Sequence, residues 1–316
     1  MKSVSYLKIL REVPNGERNL ERGIIKVALI LDGKSLSERL RSYIKEEIEN
    51  FLSKGLRQPC LAVILVGNDP ASEVYVNNKR KACEKVGIKS LFFHLPENIK
   101  QEELLEIIAQ LNTEEEVDGI LVQLPLPKHI DTREIITAIN PKKDVDGFHP
   151  ENMGKLIAGR EDGFIPCTPL GIDILLKSYG IEVKGANVTI VGAGFIVGRP
   201  LSALMLNRNA TVTVCHIYTK DIKEFTLKAD ILISATGVPG LIDGSKVKEG
   251  AVVIDVGISK VNGKIVGDVK FEEVKLKTKA ITPVPGGVGP MTVTALLMNT
   301  LKSYKNRIHS ISTIKP

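Results

Sequence analysis

At 316 residues, with 43% hydrophobic and 25% charged residues, the chain has the composition of a globular protein long enough for two domains with their own cores or for one large α/β unit, and two are favoured. Its formal charge of +6 arises from basic residues interspersed with acidic ones, so no nucleic-acid partner is implied, while an acidic small substrate is compatible. No apolar stretch is long enough to cross a bilayer and the four scattered cysteines suggest neither a zinc site nor a disulfide framework, so a cytoplasmic setting with no membrane partner is expected.

Residues 1–26 mix charges with scattered apolar residues and lack a signal-peptide core; they read as a flexible extension, or as the product of a misplaced start. From Leu36 to Leu52 apolar residues recur at helical spacing, which predicts an amphipathic helix over 35–52. Cys60–Val66 is a continuous apolar run and reads as a strand. A Gly67-Asn-Asp-Pro70 break follows, then a helix carrying Tyr75 and Lys79 that stops near Gly87. Strands are expected over 88–95 and 118–124, with helices over 101–111 and 132–139. Strands alternating with helices mean βαβ units and a parallel sheet.

Tyr75 and Lys79 are four residues apart, so a helix sets a phenol beside an ammonium on one face. In parallel sheets ligands bind beyond the carboxyl ends of the strands. Gln123 falls at one such end, Lys79 on the helix following another, and Asp144 or Asp146 enters from the next segment. These polar groups can converge although they are distant in sequence.

A second unit begins around Pro166-Cys-Thr-Pro169, with a helix over 170–179. A strand over 187–191 then runs into Gly192-Ala193-Gly194-Phe-Ile-Val-Gly198, followed by a helix over 201–206. Strand, glycine loop and helix in that order suit a dinucleotide, because the backbone can approach the pyrophosphate at a helix start. The pattern is GxGxxxG, not GxGxxG, and a turn with no ligand is its plain alternative. Strands follow over 211–215, 231–235 and 252–256, resembling half or more of a Rossmann sheet. No carboxylate stands at the end of the 211–215 strand, where a ribose hydroxyl would meet one. The segment 282–294 is too rich in Pro and Gly for regular structure, and reads as either a rigid linker or a functional loop. A C-terminal helix to about Tyr304 is expected to return to the first domain, leaving a cleft between two lobes. The five histidines, His94, His129, His149, His216 and His309, have no ligand spacing, so no metal is assigned.

In order along residues 31–305 stand YVNNKRKACEKVGI, GILVQLPLP, KDVDGFHP, IPCTPLG, GAGFIVGRP, VIDVGI, GDV and ITPVPGGVGPMT. In this combination the chain resembles the bifunctional methylenetetrahydrofolate dehydrogenase/cyclohydrolase family. The resemblance implies an α/β fold of two lobes, with a folate-binding catalytic domain over 27–148 plus 290–316 and a Rossmann-like NAD(P)-binding domain over 149–289. It implies a folate substrate and a homodimer. It makes Lys79 the catalytic lysine, Tyr75 its neighbour, Gln123 the residue that orients it and Asp146 the one that binds the pterin. Val122, Leu124, Pro285, Gly286, Gly287 and Gly289 are implied substrate contacts; Gly192, Ala193, Gly194, Gly198, Ile217 and Ile258 are implied nucleotide positions. Many members carry Arg-Ser after the first glycine and Ser at the position of Ile217, so two contacts to a 2′-phosphate are missing here. Arg199, His216 or Lys220 could replace them. The absent ribose carboxylate points to NADP and the lost Arg and Ser weaken that choice; NADP is expected, with NAD as the alternative. Two other readings stay open: a dehydrogenase that has lost hydrolysis, and a nucleotide- and folate-binding regulator without turnover.

Overall fold

The computed structural model describes residues 28–312, so the extension expected over 1–26 lies outside the described residues. The chain runs through β1 (Leu29–Ile30), α1 (Gly33–Ser53), β2 (Cys60–Val66), α2 (Pro70–Val86), β3 (Lys89–Leu95), α3 (Gln101–Thr113), β4 (Gly119–Val122), α4 (Thr132–Ala138), α5 (Pro150–Ile157) and α6 (Cys167–Ser178). It continues through β5 (Asn187–Val191), α7 (Gly198–Asn207), β6 (Thr211–Cys215), α8 (Lys223–Thr226), β7 (Ile231–Ser234), β8 (Val252–Asp255), β9 (Ser259–Val261), β10 (Lys264–Val266), α9 (Phe271–Val274), β11 (Ala280–Ile281) and α10 (Val288–Ser312). Among the described residues no helix is long and apolar enough to cross a membrane.

The chain divides into two compact units. Among the described residues, one takes 28–37 with Thr168–Thr292 and the other takes Glu38–Cys167 with 293–312. These divisions differ from the expected ones at 148/149 and 289/290, and the reasons are physical. Residues 150–167 stay with the 38–167 unit because Asn152 Nδ2 donates to Asp144 Oδ2 at 2.8 Å, Asn299 Nδ2 to Ile165 O at 3.0 Å, and Lys302 Nζ to Gly163 O at 2.7 Å. Residues 28–37 go to the other unit because β1 pairs in parallel with β11, Leu29 opposite Ala280.

In the 38–167 unit three parallel strands lie in the order β3-β2-β4. All seven residues of β2 are buried, as a strand covered on both faces should be. Ala62, Ile64, Leu104, Ile108 and Ile120 share its core. A parallel bridge from Ile120 to Asp144 extends the sheet, and it carries the 143–147 segment to the end of β4.

In the other unit six parallel strands follow the order β1-β11-β8-β7-β5-β6, with β9 and β10 forming a separate antiparallel ribbon. Asp255 ends β8 at 3% exposure. Burial pushes its carboxyl up from 3.8 to about 6, against the pull of main-chain N–H donors. The folded chain therefore holds this proton more tightly than the unfolded one, so the group's contribution is full below about pH 4 and is lost as pH rises towards about 6. Chemical unfolding of the wild type and of Asp255→Asn at about pH 4 and about pH 6.5 should show the wild type losing at most about 3 kcal/mol more than the variant on going to the higher pH.

Candidate active site

Helix α2 places the first two site residues. Asp69 caps its start by accepting from Ser72 N, Pro70 occupies its first turn, and Gly87 ends it with φ of 84°, a left-handed conformation that glycine adopts without strain. Val76, Ala82, Cys83 and Val86 are its buried side. Tyr75 is 39% exposed, and partial burial raises its phenol. Lys79 is half-buried, and its Nζ donates to Gln123 Oε1 at 3.0 Å.

Gln123 stands one residue beyond β4. Its main-chain N donates to Ile64 O at 2.9 Å, and its Nε2 donates to Leu124 O at 2.7 Å. Those two bonds leave Oε1 as the face presented to the lysine, so a neutral acceptor steers the amine without adding a charge. Val122 has its side chain in the core, which leaves its main chain as the part a ligand could meet. Leu124 is half-buried.

Asp144 and Asp146 divide their tasks. Asp144 is 2% exposed and accepts from Gly147 N, Phe148 N, His149 N and Asn152 Nδ2 at 2.8–3.2 Å. Burial raises its carboxyl, and its four bonds shape the turn that presents half-buried Asp146. A carboxylate there suits the N–H donors of a heterocycle.

Cys167 joins the two halves of this site, and sequence reasoning passed it over. It is fully enclosed, donates to Val145 O at 3.4 Å, and is held well above the usual thiol range, first by burial and next by the Asp146 carboxylate, with the Lys79 ammonium opposing. Both charges act on one thiol, so Lys79 and Asp146 converge on it from segments far apart in the chain. Its Pro-Cys-Thr-Pro setting was visible; its neighbours were not. All four cysteines are buried and free, and burial pushes Cys83, one turn beyond Lys79, up to about 12. A thiol so disfavoured as thiolate is not a nucleophile.

The glycine loop lies in the other unit. Gly192 has φ of 112°, and a Cβ there would lie 2.3 Å from Ala235 O; one on Gly198 would lie 1.8 Å from Gly192 O. Gly194 has nothing within 4 Å of a built Cβ. The loop is therefore folded tightly against β7 and the start of α7, with an open cradle at Gly194 where an anion could lie against main-chain N–H groups. This fits a dinucleotide pyrophosphate. Arg199 Nε donates to Ala193 O at 3.1 Å, laying its guanidinium along the loop. Beyond β6, His216–Thr219 form a turn in which Tyr218 N donates to His216 Nδ1 at 3.2 Å, while Ile217 and Tyr218 are 88% and 83% exposed. Ile258 is 45% exposed.

Pro285, Gly286, Gly287 and Gly289 lie in this same unit. Lys34 N donates to Gly286 O at 2.9 Å, and a Cβ on Gly33 would lie 1.9 Å from Gly287 O. The segment is thus pinned to the start of α1, as a segment of restricted flexibility should be.

A six-stranded parallel sheet with a glycine loop at its carboxyl edge, in a chain whose second unit offers a lysine held by a glutamine, defines the class of nicotinamide-nucleotide-dependent enzymes with a separate substrate unit. Residues 31–146 match the catalytic-domain model of tetrahydrofolate dehydrogenase/cyclohydrolase, and residues 166–308 match its NAD(P)-binding-domain model. The chain belongs to the tetrahydrofolate dehydrogenase/cyclohydrolase family. It is 76% identical over 291 residues to bifunctional protein FolD of Aquifex aeolicus, covering 92% of this chain and 100% of that one. It is similar to the crystal structure of the bifunctional enzyme FolD, a methylenetetrahydrofolate dehydrogenase/cyclohydrolase from Campylobacter jejuni, at 56% identity and a TM-score of 0.87 over 89% of this chain and 99% of that one. It also resembles the Trypanosoma brucei methylenetetrahydrofolate dehydrogenase-cyclohydrolase in complex with NADP and an inhibitor, at 40% identity and a TM-score of 0.85, again over 89% and 99%.

Proposed function

We propose that the chain oxidises 5,10-methylenetetrahydrofolate to 5,10-methenyltetrahydrofolate with NADP and hydrolyses the product to 10-formyltetrahydrofolate. The observation that carries the hydrolytic half is the bond from Lys79 Nζ to Gln123 Oε1, made between a helix and a strand end with no local sequence link. A nucleotide held at the Gly192–Gly198 loop would supply the hydride acceptor for the one-carbon bridge. That step needs little acid or base help from the protein, since the folate nitrogen lone pair drives it, and orientation is the protein's main contribution. Asp146 holds the pterin by accepting from its N–H groups, and Tyr75 lines the site beside Lys79.

Hydrolysis asks more of the side chains. Water adds to the methenyl carbon, one carbon–nitrogen bond breaks, and a net proton is released. Lys79 Nζ relays one proton from the attacking water to the departing ring nitrogen, and the second water proton is the one released as the carbinol oxygen becomes the formyl carbonyl. Gln123 holds Nζ on the line of attack. Replacing Gln123 by Ala leaves the amine to wander, and methenyl hydrolysis is expected to fall about 10- to 100-fold, with nucleotide affinity unchanged; hydrolysis rates and calorimetric nucleotide titration on the same preparation check this.

For the nucleotide, the end of β6 offers His216, Ile217, Tyr218 and Thr219 and no acid, which suits a 2′-phosphate better than a free ribose hydroxyl. Arg199, lying along the loop, is the cation proposed to meet it. NAD is the alternative, and initial rates with each nucleotide separate the two. A cytoplasmic homodimer is the proposed state, supported by the family resemblance.

Absorbance of the methenyl species tests the whole reading. Methylene substrate with NADP should give its growth, and supplied methenyl substrate should decay without nucleotide. Growth without decay would mean a dehydrogenase alone, and neither would mean a binding protein.

A further inference from the structure

Two carboxylates in the nucleotide unit take no part in the chemistry above. Asp255 is 3% exposed and Asp268 is fully buried. The strongest influences on Asp255 are burial, main-chain N–H donors and Asp268 itself, with no cation among them. Burying two acids together is costly unless their oxygens are well bonded. A pair kept under those terms is holding something in place.

The bonds show what is held. Asp255 Oδ1 accepts from Gly257 N at 3.0 Å and from Asp268 N at 2.9 Å, and its Oδ2 accepts from Val269 N at 3.0 Å. Asp268 Oδ2 accepts from Ser234 Oγ at 2.8 Å, Thr236 N at 2.7 Å and Thr236 Oγ1 at 2.8 Å, while Oδ1 has no partner. The two acids interlock through glycines: a Cβ on Gly257 would lie 2.0 Å from Asp268 Oδ1, and one on Gly267 would lie 2.0 Å from Asp255 Oδ2. The end of β7, the end of β8 and the 267–269 stretch are thereby tied at one point.

From that point a short series of stiff contacts leads to the glycine loop. Ser234 and Thr236, both bonded to Asp268, bracket Ala235. Ala235 N donates to Val191 O at 2.8 Å, and Ala235 O lies 2.3 Å from where a Gly192 Cβ would be. Gly192 O in turn lies 1.8 Å from a Cβ on Gly198, the first residue of α7. The first link is the Asp268 carboxylate on Ser234 and Thr236; from Ala235 on the approaches are between main-chain segments, so a shift at Ala235 passes directly to the Gly192 turn.

We propose that Asp268, braced by Asp255, is a positioning residue for the nicotinamide nucleotide, setting the height of the β7 end on which the Gly192 turn rests. This inference depends on the nucleotide-binding reading of the 192–198 loop.

NADP is titrated calorimetrically into the wild type, Asp268→Ala, Asp268→Asn and Ser234→Ala, and dehydrogenase kinetics and nucleotide-free methenyl hydrolysis are measured on the same preparations. Asp268→Ala should raise the Kd and KM for NADP at least about tenfold, with kcat at saturating nucleotide and the hydrolysis rate both within about twofold of wild type. Asp268→Asn keeps an acceptor for Ser234 and Thr236 and alters only the partnerless oxygen, so it should restore Kd to within about threefold; Ser234→Ala, losing one bond of three, should raise it about two- to fivefold. Wild-type affinity in Asp268→Ala overturns the proposal, as does equal weakness in Asp268→Asn, or hydrolysis falling in step with binding. Should Asp268→Ala fail to fold, wild-type affinity in Ser234→Ala overturns it alone. A wild type that binds neither NADP nor NAD overturns the reading of the loop itself, and the proposal with it.

Discussion

Lys79→Met should lose methenyl hydrolysis by at least about 10³-fold while binding nucleotide as tightly as the wild type. The size follows from the role: general acid–base assistance contributes roughly 10²–10⁴-fold, and Met keeps the length of the side chain without a proton to give or take. The Gln123 amide, tied by its Nε2 to Leu124 O, would then face an apolar group, which adds the penalty of an unmet acceptor. Nucleotide binding is untouched because Lys79 belongs to the 38–167 unit and the glycine loop to the other. Stopped-flow decay of the methenyl absorbance and calorimetric titration read the two quantities separately. Undiminished hydrolysis would falsify the role given to Lys79.

Gly198→Ala should do the converse. Gly198 is not among the glycines with positive φ, so a left-handed backbone is not the issue; contact is. An added Cβ would sit 1.8 Å from Gly192 O and 3.1 Å from Ala193 Cα, and both are main-chain atoms that move only if the loop moves. A separation so far inside van der Waals contact displaces the turn proposed to cradle the pyrophosphate, and nucleotide affinity is expected to fall at least about 100-fold. Hydrolysis assayed without nucleotide should stay within about twofold. Gly194→Ala is the internal control: its built Cβ meets nothing within 4 Å, so the apo fold tolerates it, and any loss there reports directly on the bound nucleotide. Together the lysine and glycine variants separate the two activities, which a chain with a single activity could not do.

Much of this was legible in the residues. Helix α2 carried its own punctuation, Asp69-Pro70 at its start and Gly87 at its end, and its i,i+4 spacing alone set Tyr75 beside Lys79. Gln123 was found because a polar residue follows the apolar run of β4, and the GxGxxxG loop because strand, glycines and helix came in order. Other features rest on pairings that leave no local trace. Strands β1 and β11 are two residues each and pair across about 250 positions of chain, too short for any periodicity to announce them. The bonds that hold the 150–167 segment to the 38–167 unit, from Asn152, Asn299 and Lys302, come from side chains with no pattern in common. Cys167 read as one of four scattered cysteines, since its meaning lies in the Asp146 and Lys79 charges around it. Asp144 and Asp146 could not be told apart by spacing; the four bonds accepted by Asp144 show which of them builds the turn.

The most direct test is a crystal structure with an unreactive folate analogue and nucleotide bound. The expected result is Lys79 Nζ, still bonded to Gln123, within hydrogen-bonding reach of the position of the one-carbon bridge, with the Asp146 carboxylate accepting from the pterin. Lys79 Nζ turned to bulk solvent, remote from the bound heterocycle, would contradict it.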